Sequence, residues 1–268
     1  MAFRRDRGIE VKGVPGFWLR VRRAEFRFMG LDYDGTLAPF HVDPLEARPV
    51  PGVKEAIKAI HETDRTTVAV ISGRPVIEVQ LLLGNLGITL IGSHGFELLR
   101  PDGTLLKREP SVNQQEGLRK AQDLAKALAA EKKLESKIAS VAFHTRGMSD
   151  DIASRLEAEV SAAWFPLGRS HDLECRPFNG GIEIRATGWH KGDALASLLA
   201  AQPAGTFAVY VGDDDTDEDA FRRIQTHGIG IKVGAPITAT TALGALKDCQ
   251  AVADFLTAWL VVTSSLER

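Results

Sequence analysis

Cysteine is scarce in this sequence: Cys175 and Cys249 are the only two among 268 residues. That is too few for a disulfide framework and suits a reducing compartment. Long apolar runs are also missing. The longest, such as 255–262, fall far short of the roughly 18 residues of a membrane span. Neither sign of charge is in excess, because 33 Lys+Arg meet 35 Asp+Glu for a formal net charge of −2. A balance of that kind leaves no basic surplus for a nucleic-acid backbone. The arginine-rich beginning lacks the apolar core and small-residue cleavage site of a secretory signal. These absences lead to the expectation of a cytoplasmic protein that binds neither nucleic acid nor membrane. The G-x-x-x-x-G-K-[ST], G-x-G-x-x-G and G-x-S-x-G strings are absent too, which removes the nucleotide sites and the serine elbow they mark.

What is present describes a globular chain. Hydrophobic residues make up 44% and charged residues 25%, which excludes disordered and fibrous classes. The length allows one large domain or two modest ones. Charge is unevenly spread: residues 1–27 hold eight Lys/Arg against three acids, leaving 25 cations and 32 acids on the rest. Residues 1–25 are expected to form a basic, loosely packed extension, open to an anionic surface, RNA or a partner.

Strand-like apolar runs at 26–31, 66–71, 89–91, 207–211 and 228–233 alternate with helical patterns at 53–60, 75–83, 191–199, 217–224 and 252–260. Such alternation implies a parallel sheet covered on both faces. An Asp102-Gly103 turn marks a hairpin between 98 and 105. The middle differs, with one long helical pattern at 111–133, a strand at 138–144, a helix at 150–163 and two short strands at 172–176 and 181–185. The reading is an α/β core made of residues 26–106 and 188–268, with a smaller α+β domain inserted at 107–187.

The strongest chemical signal is Asp32-Tyr33-Asp34-Gly35-Thr36-Leu37, directly after the first strand. Ligands of an open parallel sheet bind beyond the carboxyl ends of its strands. Two carboxylates at that place can serve as nucleophile and general acid/base, with a divalent cation offsetting their repulsion. Gly35 permits the turn and Thr36 offers a hydroxyl. Five acids crowd Asp213-Asp214-Asp215-Thr216-Asp217-Glu218 after another strand, and hard oxygen ligands of this kind suit Mg²⁺ beside a phosphate. Ser72-Gly73-Arg74 ends a third strand before a helix, where a hydroxyl and helix amides can meet an anion. Lys191 opens a helix and can offset phosphate charge.

Taken in chain order, residues 32–37, Ser72, Lys191 and residues 212–218 resemble the four motifs of the haloacid-dehalogenase-like phosphatases. The finer pattern is similar to the trehalose-6-phosphate phosphatase family, through residues 31–39, 70–74, 92–97, 182–185, 191–192 and 212–221. The resemblance spans about residues 26–262 and implies a Rossmann-like parallel-sheet core with an inserted α+β cap. It implies that Asp32 attacks phosphorus, that Asp34 is the general acid/base, and that Ser72 and Lys191 hold the phosphoryl group. Mg²⁺ would lie on the Asp32 side chain, the Asp34 carbonyl and Asp213, with Asp217 or Asp214 ligating it or holding its water. Gly35, Thr36, Gly73, Arg74, His94, Gly95 and Glu97 of the core, with His144, Arg146 and Glu183 of the cap, would meet a sugar phosphate. Thr145 stands where the family often has an aromatic. Trehalose 6-phosphate is the expected substrate. Mannosyl-3-phosphoglycerate, sucrose phosphate, a sugar phosphotransferase on the same scaffold and a non-catalytic binding protein are the rivals. The last would be expected to lack Asp32 or Asp34, and both are present.

Overall fold

Short apolar runs without helical spacing become the strands at the centre of this protein. The computed structural model describes residues 11–128, 133–235 and 239–264. The chain begins with α1 (Phe17–Arg23), β1 (Arg27–Leu31), α2 (Val53–His61), β2 (Thr66–Ile71), α3 (Val76–Leu83), β3 (Thr89–Gly92), β4 (Glu97–Leu99) and β5 (Leu105–Lys107). It continues through α4 (Val112–Leu128), β6 (Leu134–Ser136), β7 (Ser140–His144), α5 (Asp150–Ser170), β8 (Leu173–Phe178) and β9 (Gly181–Ala186). It closes with α6 (Lys191–Ala200), β10 (Phe207–Gly212), α7 (Glu218–Ile224), β11 (Gly228–Val233), β12 (Gly244–Leu246) and α8 (Cys249–Ser264).

The large sheet runs in the order β12-β11-β10-β1-β2-β3-β4-β5. Its pairings are parallel from β12 to β3, and β4 and β5 add an antiparallel edge. Because side chains alternate along a strand, the central strands feed two cores. Met29, Leu31, Val68, Val70, Val209 and Val211 join Ile57, Phe255 and Trp259 on the α2 and α8 face. Phe28, Ala69, Ile71, Ala208 and Tyr210 join Leu195 and Phe221 on the α6 and α7 face. Parallel strands buried on both faces read as unbroken apolar runs, which is why they were legible.

A second, antiparallel sheet has the order β6-β7-β9-β8. Val141, Phe143, Ile182 and Ile184 pack with Trp164, Leu118 and Ala121 on its helical face. The opposite face carries Glu135, Ser140, Ala142, His144, Glu183, Arg185, Glu174 and Arg176. This follows from the registers Glu135↔Ala142, Ala142↔Glu183 and Arg176↔Glu183. The fold is thus α/β, a parallel-sheet core with a cap.

Several elements differ from expectation. Phe17 and Val21 of α1, with Val11 before it, are buried in the main core against Phe255 and Trp259. Residues 11–25 are therefore packed rather than loose, while 1–10 lie outside the described residues. The basic composition concealed a two-residue apolar stripe. Helix α5 passes through Pro166 to Ser170 because Trp164 and Leu167 on either side are buried; that burial outweighs the lost backbone bond. The helical pattern at 111–133 is α4 as far as Leu128, with 129–132 outside the described residues, and β6 and β12 were not foreseen, since three-residue strands carry little pattern of their own.

Candidate active site

Parallel strands send their carboxyl ends to one edge, and the candidate residues gather there. Asp32 follows β1, with its N–H donating to Val211 O at 2.9 Å. Its Oδ1 accepts from Lys191 Nζ at 2.7 Å. Lys191, 3% exposed, is the first residue of α6, which His190 caps by accepting from Asp193 N–H. Burial pushes the Asp32 carboxyl well above the ordinary range, against the pull of Lys191. Burial disfavours the Lys191 ammonium, yet Asp217 and Asp32 hold it well above its ordinary value.

Asp217 is completely buried, and both its oxygens are engaged. One accepts from Lys191 Nζ at 2.9 Å and Tyr210 OH at 2.7 Å. The other accepts from the N–H groups of Asp213 and Asp214 at 2.9 and 3.1 Å. Asp217 thus braces the loop that presents Asp213. Asp214 accepts from Thr216 N–H and Oγ1. Burial works against its ionisation, but Lys191 and Thr216 outweigh it and its carboxyl lies below the ordinary value.

Ligand oxygens of Asp32, Asp213 and Asp217 lie within 4.8 Å of one another, and Asp213 Oδ1 is buried without a hydrogen-bond partner. Burial, then Asp32, Asp217 and Asp214, push the Asp213 carboxyl up to about 10. Buried, mutually repelling carboxylates with an unpartnered oxygen fit a hard divalent cation such as Mg²⁺. Gly35, at φ 75°, lets the backbone pass this group, since a Cβ there would lie 2.1 Å from Asp213 Oδ2.

The neighbouring strand supplies Ser72, whose Oγ accepts from Arg74 N–H at 3.1 Å. Arg74 clasps Asp34 through two bonds, Nε to Oδ2 at 2.6 Å and Nη2 to Oδ1 at 2.7 Å. Its remaining nitrogen donates to Pro44 O and Glu78. Arg74 is therefore a clasp for Asp34, already occupied by protein.

Above this floor lies a cleft enclosing about 910 Å³ of space, part of it open solvent. It is bordered by Asp32, Asp34, Ser72, Gly73, Arg74, His94, His144, Arg146, Glu183, Lys191 and Asp214. His94 Nε2 lies 3.0 Å from Glu183 Oε2, joining core to cap. Burial holds the His94 imidazole below its ordinary value despite Glu183. Glu183 also accepts from Ser140 Oγ at 2.8 Å and Lys137 Nζ at 3.2 Å. Burial opposes its charge, but Lys137 and His94 hold it well below the ordinary value. His144 Nε2 meets Glu135 at 2.8 Å, and its ring stands edge-on to Phe178. Arg146 donates to His41 O at 2.9 Å and to Asn179 O, and lies over the Phe40 ring.

Four expected contacts are not in the cleft. Glu97 turns inward, where its Oε2 accepts from Val76 N–H and Ser93 Oγ, so its carboxylate holds the 93–96 turn. Gly95 lies under Trp189. Gly35 backs onto Asp213. Thr36 is buried with its hydroxyl unpartnered, so it offers nothing to the cleft. Conversely Glu135, Lys137, Glu78, Phe40, Phe178, Asn179 and Thr216 border the cleft without having been singled out. The Glu135-x-Lys137 spacing put both on one strand face, but it fell between a helical pattern read to 133 and a strand read from 138.

A family model described as Trehalose-phosphatase matches residues 30–244. A Mycobacterium tuberculosis protein named Trehalose-phosphate phosphatase is 35% identical over 242 residues, 84% of this chain and 59% of that protein. Another from the same species, named Uncharacterized glycosyl hydrolase, is 37% identical over 213 residues, 76% of this chain but 16% of its own length. The chain therefore spans well under two thirds of these relatives. The solved C. albicans Trehalose-6-phosphate phosphatase C-terminal domain superposes with a TM-score of 0.82 at 21% identity, covering 92% of this chain and 96% of that one. That likeness is one of fold. Among the described residues no helix is long and apolar enough to cross a membrane.

Proposed function

The chain belongs to the trehalose-phosphatase family, and on that premise we propose that it hydrolyses trehalose 6-phosphate to trehalose and phosphate, with Asp32 as nucleophile and Mg²⁺ as cofactor. One observation carries this reading. A buried Asp32–Lys191 pair beside the Asp213 and Asp217 carboxylates forms the floor of a cleft whose roof is a row of polar cap side chains.

Asp32 forms its bond to phosphorus as the bond from phosphorus to the sugar oxygen breaks, and Asp34 gives the departing oxygen its proton. Asp34 then takes a proton from the water that splits the aspartyl-phosphate. To do so it must leave Arg74, its partner at 2.6 Å. Lys191 and Ser72 hold the phosphoryl oxygens where charge develops. Mg²⁺, held by Asp32, Asp213 and the Asp34 carbonyl, would offset the charge of the acids and of the phosphate. Asp217 keeps Asp213 and Lys191 in place, and Asp214 borders the phosphate end of the cleft.

The cap favours a neutral sugar over an anionic one. Each cap cation along the cleft already has a partner: Lys137 has Glu183, Arg176 and Arg185 share Glu174, and Arg146 has two carbonyls. A glycerate carboxylate would have to compete with Glu183, Glu174 or the two carbonyls for these cations, whereas sugar hydroxyls can donate to the further lone pairs of Glu135 and Glu183 without displacing a cation.

The test is phosphate release from a panel of sugar phosphates, with and without Mg²⁺, for wild type and Asp32→Asn. Release that needs Mg²⁺, is greatest on trehalose 6-phosphate and falls at least about a thousandfold in Asp32→Asn is expected. Full turnover by Asp32→Asn sinks the mechanism. Transfer to a second sugar without free phosphate would make the protein a phosphotransferase instead.

A further inference from the structure

The chain passes between core and cap twice, through residues 108–111 and 187–190. The two passages are joined by one side-chain pair: the Arg108 guanidinium lies 3.8 Å from the Trp189 ring centroid, within cation–π distance. Both residues are also tied to the same turn. Trp189 Nε1 donates to Gly95 O at 3.0 Å, and Arg108 N–H donates to Phe96 O at 2.8 Å.

That turn is held in an uncommon conformation. Ser93, His94 and Gly95 have φ of 50°, 57° and 113°. Positive φ is sterically disfavoured for a serine or histidine, so the surroundings must hold it there. Ser93 N–H donates to Arg74 O at 2.7 Å and His94 N–H to Ser72 O at 3.0 Å. The turn is thus bonded on one side to the phosphate-end loop and on the other to the hinge. From between them His94 reaches Glu183 of the cap. Trp189 itself does not border the cleft. It packs closely on Gly95, where a Cβ would lie 2.8 Å from the indole nitrogen.

We propose that Trp189, braced by Arg108, is a positioning residue that sets the 93–96 turn, and so His94, against the cap. The hinge thereby makes recognition of the sugar depend on cap position, and acts on the sugar side of the cleft more than on the phosphate end. The inference rests on the reading of the cleft as a sugar-phosphate site between core and cap.

The test uses Trp189→Phe in the full chain, which keeps a ring against Arg108 but removes the indole N–H. The KM for trehalose 6-phosphate should rise about tenfold, equivalent to about 1.4 kcal/mol, with kcat within about twofold. Turnover of p-nitrophenyl phosphate, which has no sugar to read, should not change. Hydrogen exchange, which needs no substrate, should quicken at residues 92–97. Equal losses on both esters would reduce Trp189 to a general structural role and overturn the proposal, as would unchanged KM and exchange. If wild type prefers another sugar phosphate, the substrate reading fails separately, and the positioning claim is judged on the KM for that ester.

Discussion

Glu97 opens the short strand β4 and Glu183 sits mid-strand in β9, and the two do opposite jobs. Glu183 faces the cleft with His94, Lys137 and Ser140. Glu97 is spent on Val76 N–H and Ser93 Oγ. Glu97→Ala leaves two buried donors without an acceptor and should cost about 2 kcal/mol or more in urea unfolding, with the preference among sugar phosphates retained. A changed preference at full stability would return Glu97 to the substrate. Side-chain direction of this kind is what the sequence conceals. Asp32, Asp34, Ser72 and Asp213 were legible because strand ends place them, and Lys191 because it opens a helix. Whether a glutamate next to a turn points in or out depends on backbone donors that only the fold brings near. Lys137 was illegible for a related reason, since its two carboxylate partners lie on β6 and β9.

At the scale of elements, the β6-β7-β9-β8 sheet divides its labour by alternation, apolar toward α4 and α5 and polar toward the cleft. On the polar side, burial opposes ionisation of Glu135, Glu174 and Glu183, yet His144, Arg185 and Lys137 respectively lead in holding them below their ordinary value of 4.5. A carboxyl whose value falls on folding adds stability above its unfolded value, and that stability is lost as pH falls through the folded one. The difference in unfolding free energy between wild type and Glu183→Gln should therefore be largest above about pH 5 and shrink below about pH 4. A difference independent of pH would contradict the pairing. Long strands and helices were readable from periodicity, whereas β6 and β12, at three residues each, were not. Helix α1 was hidden by its arginines, three of which lie in its last turn, where cations suit the helix dipole.

In the whole molecule, the proposed function divides phosphate chemistry from sugar recognition. The core supplies the acids and Lys191, the cap supplies paired polar groups, and contact across the cleft is made by His94–Glu183 and by Arg146 on the His41 carbonyl. The alternating α/β pattern made the core evident, and the interruption at its middle made the cap evident. How the two meet was not legible, because it depends on single side chains reaching across more than a hundred residues, as Arg146 does to His41. On the proposed reading, this cleft takes a neutral disaccharide on the phosphate. That central claim is tested most directly by the ratio of kcat/KM for trehalose 6-phosphate to that for mannosyl-3-phosphoglycerate, measured with Mg²⁺ present. With Lys137, Arg146, Arg176 and Arg185 each already engaged along the cleft, the ratio should be about a hundredfold or more in favour of trehalose 6-phosphate. A ratio near one, or a preference for the glycerate ester, would contradict the account.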